Sequence, residues 1–140
     1  MGAVFTHRLR VRYGECDLQG VVFNANYFSY FDVAMTEFQR EALVPYDEMV
    51  ASGTDMVVAE ATARFRAPAR FDDEIDLDIR VVRLGTTGMT MRLDVRREDE
   101  LLVEGEMRYV FVDTATGGKT PIPDEVRGGL EPYLAEEAPV

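Results

Sequence analysis

Two acidic residues and two glycines lie in one short and otherwise rather apolar segment, residues 13–27. The acids are Glu15 and Asp17, and a long helical pattern begins where the segment ends. A carboxylate held beside a substrate can act as a nucleophile or as the general base for a water molecule. The first turn of a helix leaves backbone N–H groups unpaired, and such donors suit the oxygen of a polarised carbonyl. This segment is therefore where we expect carbonyl chemistry to be located.

Other chemistry-bearing residues are few. Cys16 adjoins Asp17, but the only histidine, His7, falls in a predicted strand, so we expect Cys16 to be an inert, buried thiol. A single cysteine cannot form an internal disulfide, which favours a reducing compartment. With one cysteine and one histidine, the chain also cannot form a metal site built from several residues of these types. Glu15 is interpreted as an acceptor for loop amides. The alternative is that its charge raises the pKa of Asp17.

Composition narrows the class of protein. The 140 residues fit a single domain, residues 1–140, and 46% are hydrophobic, which is typical of a packed globule. Fifteen Lys and Arg against 26 Asp and Glu leave a net charge of −11, which argues against a nucleic-acid or acidic-membrane binder. No run of 18 apolar residues and no secretory signal pattern are present, so we predict a cytoplasmic protein with no membrane contact.

Apolar and polar residues alternate through three long segments, at about residues 75–81, 89–95 and 101–111. A period of two is typical of antiparallel strands with one face toward water. The segments LGTTG at 84–88 and REDE at 97–100 separate them and are predicted to be hairpin turns.

Two further strands are predicted at residues 6–13 and 56–65. Pro68 should fall at or beyond the end of the second, because proline cannot donate a hydrogen bond to the sheet. Apolar residues also interrupt the charged outer face of the predicted sheet, and this face is a candidate interface. They are Val82, Leu102, Val110 and Val112.

A helix is predicted over residues 27–43, which contain neither glycine nor proline and carry apolar residues at helical spacing nearly all round. Asn24 or Asn26 is expected to cap its start, and Pro45 lies just past its end. A short surface helix is predicted within residues 124–134. The order of one strand, one long buried helix and four strands predicts an α+β fold with a five-stranded antiparallel sheet wrapped around a central helix.

Four stretches resemble the hotdog-fold family of 4-hydroxybenzoyl-CoA thioesterases. The first, DLQGVVFNANY at residues 17–27 followed by FDVA at 31–34, is similar to that family's active-site signature. The others are ARFRAPARFDD at 63–73, LGTTG at 84–88 and PIP at 121–123. The resemblance spans nearly the whole chain, roughly residues 6–130, and the hotdog fold that it implies agrees with the pattern of predicted elements.

The resemblance implies an acyl-CoA thioesterase in which Asp17 is the catalytic carboxylate, either attacking the thioester carbonyl or activating water. Position 24 would supply a backbone N–H to the thioester oxygen. One branch of the family has a histidine there; here the residue is Asn24, which favours a mechanism that relies on the aspartate alone. No metal or redox cofactor is implied.

The resemblance also suggests substrate contacts. Asp32 matches an acid that lies beside the ring in members acting on aromatic acyl groups; the other interpretation is that it pairs with an arginine. The nucleotide of CoA is implied near the 84–88 hairpin. The candidate contacts are Phe23, Tyr27, Asp32 and Met56 for the acyl group, and Arg64, Arg66, Arg83, Gly85, Thr86 and Thr87 for the nucleotide.

Family members assemble as dimers, often paired into tetramers, so a homodimer or homotetramer with sites shared between chains is expected. Two alternatives remain. One is a thioesterase acting on acyl-carrier-protein or polyketide thioesters, for which the same site would serve. The other is a non-catalytic acyl-CoA-binding module, against which Asp17 in its motif argues.

Overall fold

The structure is a computed structural model that describes residues 2–135, and its strands form one antiparallel sheet. The order across the sheet is β1-β3-β4-β5-β2, so β1 and β2 are its edges. Within the described residues the strands are β1 (Phe5–Arg10), β2 (Thr54–Phe65), β3 (Glu74–Leu84), β4 (Gly88–Arg97) and β5 (Glu100–Asp113).

One long helix, α1 (Asn26–Ala42), packs against the sheet, and two short helices follow: α2 (Tyr46–Ala51) and α3 (Asp124–Leu130). Single 3₁₀ turns lie at Tyr13–Glu15 and Glu131–Tyr133. This is the predicted α+β arrangement. No helix in residues 2–135 is both long and apolar enough to cross a membrane.

The period-two pattern predicts correctly which apolar residues of β3 and β4 are buried, although Asp76 and Asp78, on the face of β3 predicted to meet water, are buried as well. In β3 the side chains of Ile75, Leu77 and Ile79 are completely buried, and β4 and β5 present their apolar residues to the same side. Helix α1 lies close against this inner face: a Cβ built on Gly105 of β5 would lie 2.5 Å from Cζ of Phe31. Only a residue without a side chain allows the helix to approach the sheet so closely.

Several boundaries differ from the prediction. The first strand ends at Arg10 instead of residue 13, because the chain then bends into the 3₁₀ turn. The predicted terminal helix stops at Leu130 and continues only as a 3₁₀ turn. Helix α2 has no counterpart among the predicted elements. Pro68 lies beyond the end of β2, as predicted.

Two predictions about exposure are wrong. Leu102 is fully buried instead of lying on the outer face, because an irregularity in the β4–β5 pairing at this point shifts the inside–outside alternation by one residue. Helix α1 is not buried all round: Ser29, Asp32, Val33 and Thr36 form an exposed side in the single chain.

Candidate active site

The loop between β1 and α1 is folded back on itself by backbone hydrogen bonds. The amide of Asp17 donates to the carbonyl of Val21 over 2.9 Å, and the amide of Phe23 donates to the carbonyl of Glu15 over 3.0 Å. The side-chain amide of Asn26, in the first turn of α1, also donates to the Glu15 carbonyl over 2.8 Å. The segment that carries Asp17 is therefore fastened directly to the start of the helix.

Asp17 lies at the tip of this loop beside a cavity. Its Oδ1 accepts a hydrogen bond from the amide of Gln19 over 2.8 Å, which fixes the carboxylate relative to the turn. The cavity has a volume of about 620 Å³, and we call it the Asp17 cavity. Its lining consists of Tyr13, Gly14, Cys16, Asp17, Leu18, Gly20 and Phe71, so the carboxylate faces mainly apolar and aromatic groups.

The helix start differs from the predicted cap. Residue Ala25 occupies the N-cap position, and no side chain caps the helix. Because Ala25 already has helical backbone angles, the amides of residues 26–28 donate to the carbonyls of residues 23–25 and need no side-chain acceptor. Within the described residues, the backbone N–H groups of Asn24 and Ala25 have no hydrogen-bond acceptor. One of the two free donors is thus the backbone N–H of the predicted position 24, and the other is that of the next residue.

Asn24 borders a second cavity, of about 210 Å³, which we call the helix cavity. Its lining includes Asn24, Tyr27, Phe65 and Arg66. The hydroxyl of the buried Tyr27 accepts a hydrogen bond from the amide of Ala69 over 3.2 Å. Burial raises the pKa of this hydroxyl, so it remains protonated at neutral pH.

Asp17 and Asn24 lie on different cavities of the single chain. The Asp17 cavity extends along one side of the loop as far as Gly20, and the helix cavity begins at Val21. The single chain therefore does not enclose the predicted carboxylate and the predicted amide donor in one pocket, although backbone hydrogen bonds join their segments.

The 84–88 hairpin borders a third cavity, of about 350 Å³, which we call the hairpin cavity. It brings together four of the predicted nucleotide contacts, namely Arg83, Gly85, Thr86 and Thr87. Two cations that sequence reasoning missed, Arg108 and Lys119, also line it. Arg108 could have been found only from the register of the sheet. In that register Arg83 of β3 pairs with Thr90 of β4, and Thr90 pairs with Arg108 of β5, so the two arginines lie on either side of Thr90.

The hairpin cavity is lined by positively charged side chains, although the chain as a whole is acidic. Most other arginines form ion pairs with acids, as Arg96 does with Asp76 and Asp78. Within residues 2–135, none of the ion pairs involves Arg83, Arg108 or Lys119. Three unneutralised cations, threonine hydroxyls and glycine backbone make this cavity suitable for a phosphate group.

The remaining predicted contacts are dispersed. Phe23 is 55% exposed and lines neither the helix cavity nor the Asp17 cavity. Met56 is partly buried on β2, and Asp32 is on the exposed side of α1, where partial burial raises the pKa of its carboxyl. No ion pair joins Asp32 to an arginine in the described part of the chain.

Two of the predicted nucleotide contacts, Arg64 in β2 and Arg66 just beyond its end, border different cavities. Arg64 borders a fourth cavity, of about 260 Å³, with Arg92 and Glu104. Arg66 forms an ion pair with Glu104 at 3.0 Å while bordering the helix cavity.

The neighbours of Asp17 have structural roles. Burial alone would raise the pKa of the Glu15 carboxyl, but hydrogen bonds from Arg12 and from the Tyr30 hydroxyl outweigh it, and the net shift is downward. Glu15 is thus an acceptor for a loop amide, as predicted. Burial and the charges of Glu15 and Asp17 raise the pKa of the Cys16 thiol, which agrees with the prediction of an inert cysteine. Cys16 is half-buried, however, and not buried as predicted, because it lines the Asp17 cavity.

Comparison with known proteins identifies the family. The family model described as "Thioesterase-like superfamily" matches residues 11–130. The chain is 31% identical over 122 residues to a putative esterase of Aquifex aeolicus, a match that covers 87% of this chain and 94% of the relative. It is 32% identical over 112 residues to the acyl-CoA thioester hydrolase YbgC of Escherichia coli, covering 79% of this chain and 83% of the relative.

A solved structure described as BH1999 gentisyl-coenzyme A thioesterase superposes with a TM-score of 0.80 at 25% identity, covering 91% of this chain and 99% of the other. The predicted fold and the predicted enzyme class, a thioester hydrolase, are confirmed at the level of the family. The chain belongs to the thioesterase-like superfamily.

Proposed function

We propose that this chain hydrolyses an acyl-CoA thioester to a carboxylic acid and free CoA. In this mechanism an oxygen of Asp17 attacks the thioester carbon, the thiolate departs, and water then hydrolyses the mixed anhydride. Alternatively Asp17 removes a proton from water, which attacks the same carbon; the products are identical. The amide of Asn24 stabilises the negative charge that develops on the carbonyl oxygen.

The observation that carries this proposal is the pair of unpaired amides, of Asn24 and Ala25, in the same folded loop as Asp17. Backbone N–H groups fixed before substrate arrives need little reorganisation when charge develops, and this preorganisation makes them effective. The hydrogen bonds between Asp17 and Val21 and between Glu15 and Phe23 hold the carboxylate segment against the amide segment. The general base and the oxyanion donor thus come from one short stretch of chain, but they border different cavities, and a second copy of the chain is needed to bring one substrate to both.

We extend the proposal to a site completed by a second copy of the chain, as a homodimer or within a homotetramer. The two cavities on either side of the loop are open in the single chain. Strand β2 is at an edge of the sheet, and its residues Val57 and Val58 are 43% and 49% exposed. An unprotected apolar edge is a favourable surface for pairing with another chain.

The hairpin cavity supports coenzyme A as the leaving group. Free CoA carries phosphates, and the unneutralised cations Arg83, Arg108 and Lys119 converge on one cavity of a chain whose net charge is −11. Local cations are needed because the protein as a whole repels an anion. A thioester of a carrier protein is the alternative substrate.

An aromatic acyl group, such as the 4-hydroxybenzoyl group, is the proposed acyl class. Asp32 on α1 motivates it, because its carboxyl has no arginine partner within the described residues. A relative at 25% identity is named for its action on gentisyl-coenzyme A, which is also an aromatic acyl thioester.

The test is release of free thiol from matched thioesters by the purified protein. Benzoyl, 4-hydroxybenzoyl, acetyl and palmitoyl groups are presented on CoA, and the preferred group is also presented on a carrier protein. We expect turnover on CoA, with kcat/KM highest for an aroyl group. Saturable binding without turnover of any thioester would identify a binding module, and turnover restricted to the carrier protein would replace CoA in the proposal.

A further inference from the structure

The hydroxyl of Tyr109 is buried and has no hydrogen-bond partner, and it is the one buried side-chain polar atom in residues 2–135 of which this is true. The whole residue is 3% exposed. Folding removes such a hydroxyl from water without replacing the lost hydrogen bond, so the arrangement is unfavourable for the isolated chain. Native structures contain few such groups, and each needs an explanation.

Tyr109 lies on the inner face of β5, where the sheet meets α1. Its register partners are Val58 on β2 and Met89 on β4. The same face of β5 contacts Phe31 of α1 at Gly105, four residues earlier in the strand. Asp32 follows Phe31 on the helix, and burial together with the negative charge of Asp32 raises the pKa of the Tyr109 hydroxyl. Asp32 is thus the charged group that acts on this hydroxyl.

Tyr109 lies at the edge of the hydrophobic core and not at its centre. Val58, directly across from Tyr109 on the edge strand, is 49% exposed, and Val33, next to Asp32, is 42% exposed. Tyr109 is thus adjacent to the exposed apolar edge strand that a second copy of the chain is proposed to cover.

We propose that Tyr109 is a specificity-determining residue whose hydroxyl hydrogen-bonds a hydroxyl group on the acyl part of the substrate, with Asp32 as the second polar contact. This inference rests on the proposed function and adds a residue that the sequence did not single out. A substrate hydroxyl can accept a hydrogen bond from Tyr109 and donate one to the Asp32 carboxylate. An unsubstituted acyl group leaves both groups unpaired, and a site of that kind discriminates strongly.

The test uses Tyr109→Phe, which removes the hydroxyl and keeps the ring. Two non-hydrolysable thioethers of CoA, one with a 4-hydroxybenzyl group and one with a benzyl group, are titrated by calorimetry, and kcat/KM is measured for the matching 4-hydroxybenzoyl and benzoyl thioesters. We expect the wild type to prefer the hydroxylated member by about tenfold. In Tyr109→Phe the preference should fall several-fold, to what the Asp32 contact alone provides, with little change for the unsubstituted member.

The matched control is Tyr133→Phe, a partly buried tyrosine that packs against Phe38. This variant should keep the wild-type preference. Equal affinity of the wild type for both thioethers, or an unchanged preference in Tyr109→Phe, overturns the inference. Binding preference without hydrolysis would instead contradict the proposed function and leave the role of Tyr109 supported, because the thioether titration does not depend on turnover.

Discussion

The residue Glu15 illustrates how single side chains hold the proposed catalytic loop. Its carboxylate accepts hydrogen bonds from Arg12 and, over 2.9 Å, from the Tyr30 hydroxyl of α1. Its carbonyl accepts two more, from Phe23 and from Asn26. One residue thus joins the loop to the helix twice, and the position of Asp17 two residues later is set by these contacts.

At the same scale, replacement of Arg108 by Gln tests the hairpin cavity. Loss of one charged phosphate contact, about 1.5 kcal/mol or more, should raise KM for an acyl-CoA by about tenfold with little change in kcat. The acyl-pantetheine thioester, which lacks the nucleotide, should be hydrolysed equally well by the variant and the wild type. Arg70→Gln removes an exposed arginine that does not line this cavity and serves as the control. Equal increases in KM for both thioesters in Arg108→Gln would argue against a phosphate contact.

Some residues of the candidate site could be proposed from the sequence and others could not. Asp17 and the amide of position 24 were predicted because a resemblance in residues 17–27 fixes both in one segment. Arg108 could not be predicted, because its place beside Arg83 depends on two irregularities in the strand pairing. One lies between Val81 and Arg83, and the other between Val95 and Arg96. Each shifts the register by one residue, and no sequence pattern marks either one.

At the scale of the elements, the packing of helix α1 against strand β5 depends on one close contact, at Gly105. A methyl group on Gly105 would lie 2.5 Å from Cζ of Phe31 and 2.8 Å from the carbonyl oxygen of Leu93. Since one of these is backbone, Gly105→Ala should lower the free energy of unfolding by about 1–3 kcal/mol, as measured by urea denaturation.

The control for this change is Gly128→Ala in α3. A Cβ at Gly128 meets no atom within 4 Å, so the substitution should stabilise the helix by about 0.5–1 kcal/mol. If Gly105→Ala were as stable as the wild type, the tight packing of α1 on β5 would be contradicted.

The pattern of elements was predictable where periodicity is strong. Three strands follow from strict alternation, and α1 follows from a helical apolar pattern without glycine or proline. Helix α2 was not anticipated because it is only six residues long and buries one apolar side chain, Met49, completely. The exposed side of α1 was also unpredicted, since Val33 is apolar and yet 42% exposed.

Across the whole molecule, the outer sheet face is a network of ion pairs. Asp76 is almost buried and contacts both Arg8 and Arg96, and the hydrogen bond from Arg8 lowers the pKa of its carboxyl. A carboxyl whose folded pKa lies below its unfolded value, near 3.9, stabilises the fold above that pH. The stabilisation is lost as pH falls through the folded pKa, so Tm should decline below about pH 4.

Asp76→Asn tests this dependence. At pH 7 the variant should be less stable by about 1–2 kcal/mol, because two arginines lose a charged partner. Its Tm should depend less on pH between about 5 and 3 than that of the wild type. Asp99→Asn, in the exposed turn between β4 and β5, should keep the wild-type pH dependence. Identical pH profiles for the wild type and Asp76→Asn would show that Asp76 does not contribute to acid unfolding.

The central claim is that the Asp17 carboxylate takes part in thioester cleavage, and the most direct measurement compares Asp17→Asn with the wild type on the preferred acyl-CoA. The substitution removes the charge and the basicity but keeps the shape. Single-turnover thiol release is followed together with the Kd of the corresponding non-hydrolysable thioether. We predict that release slows by at least about 100-fold while Kd changes by less than about threefold. Thiol release at the wild-type rate in Asp17→Asn would contradict the account.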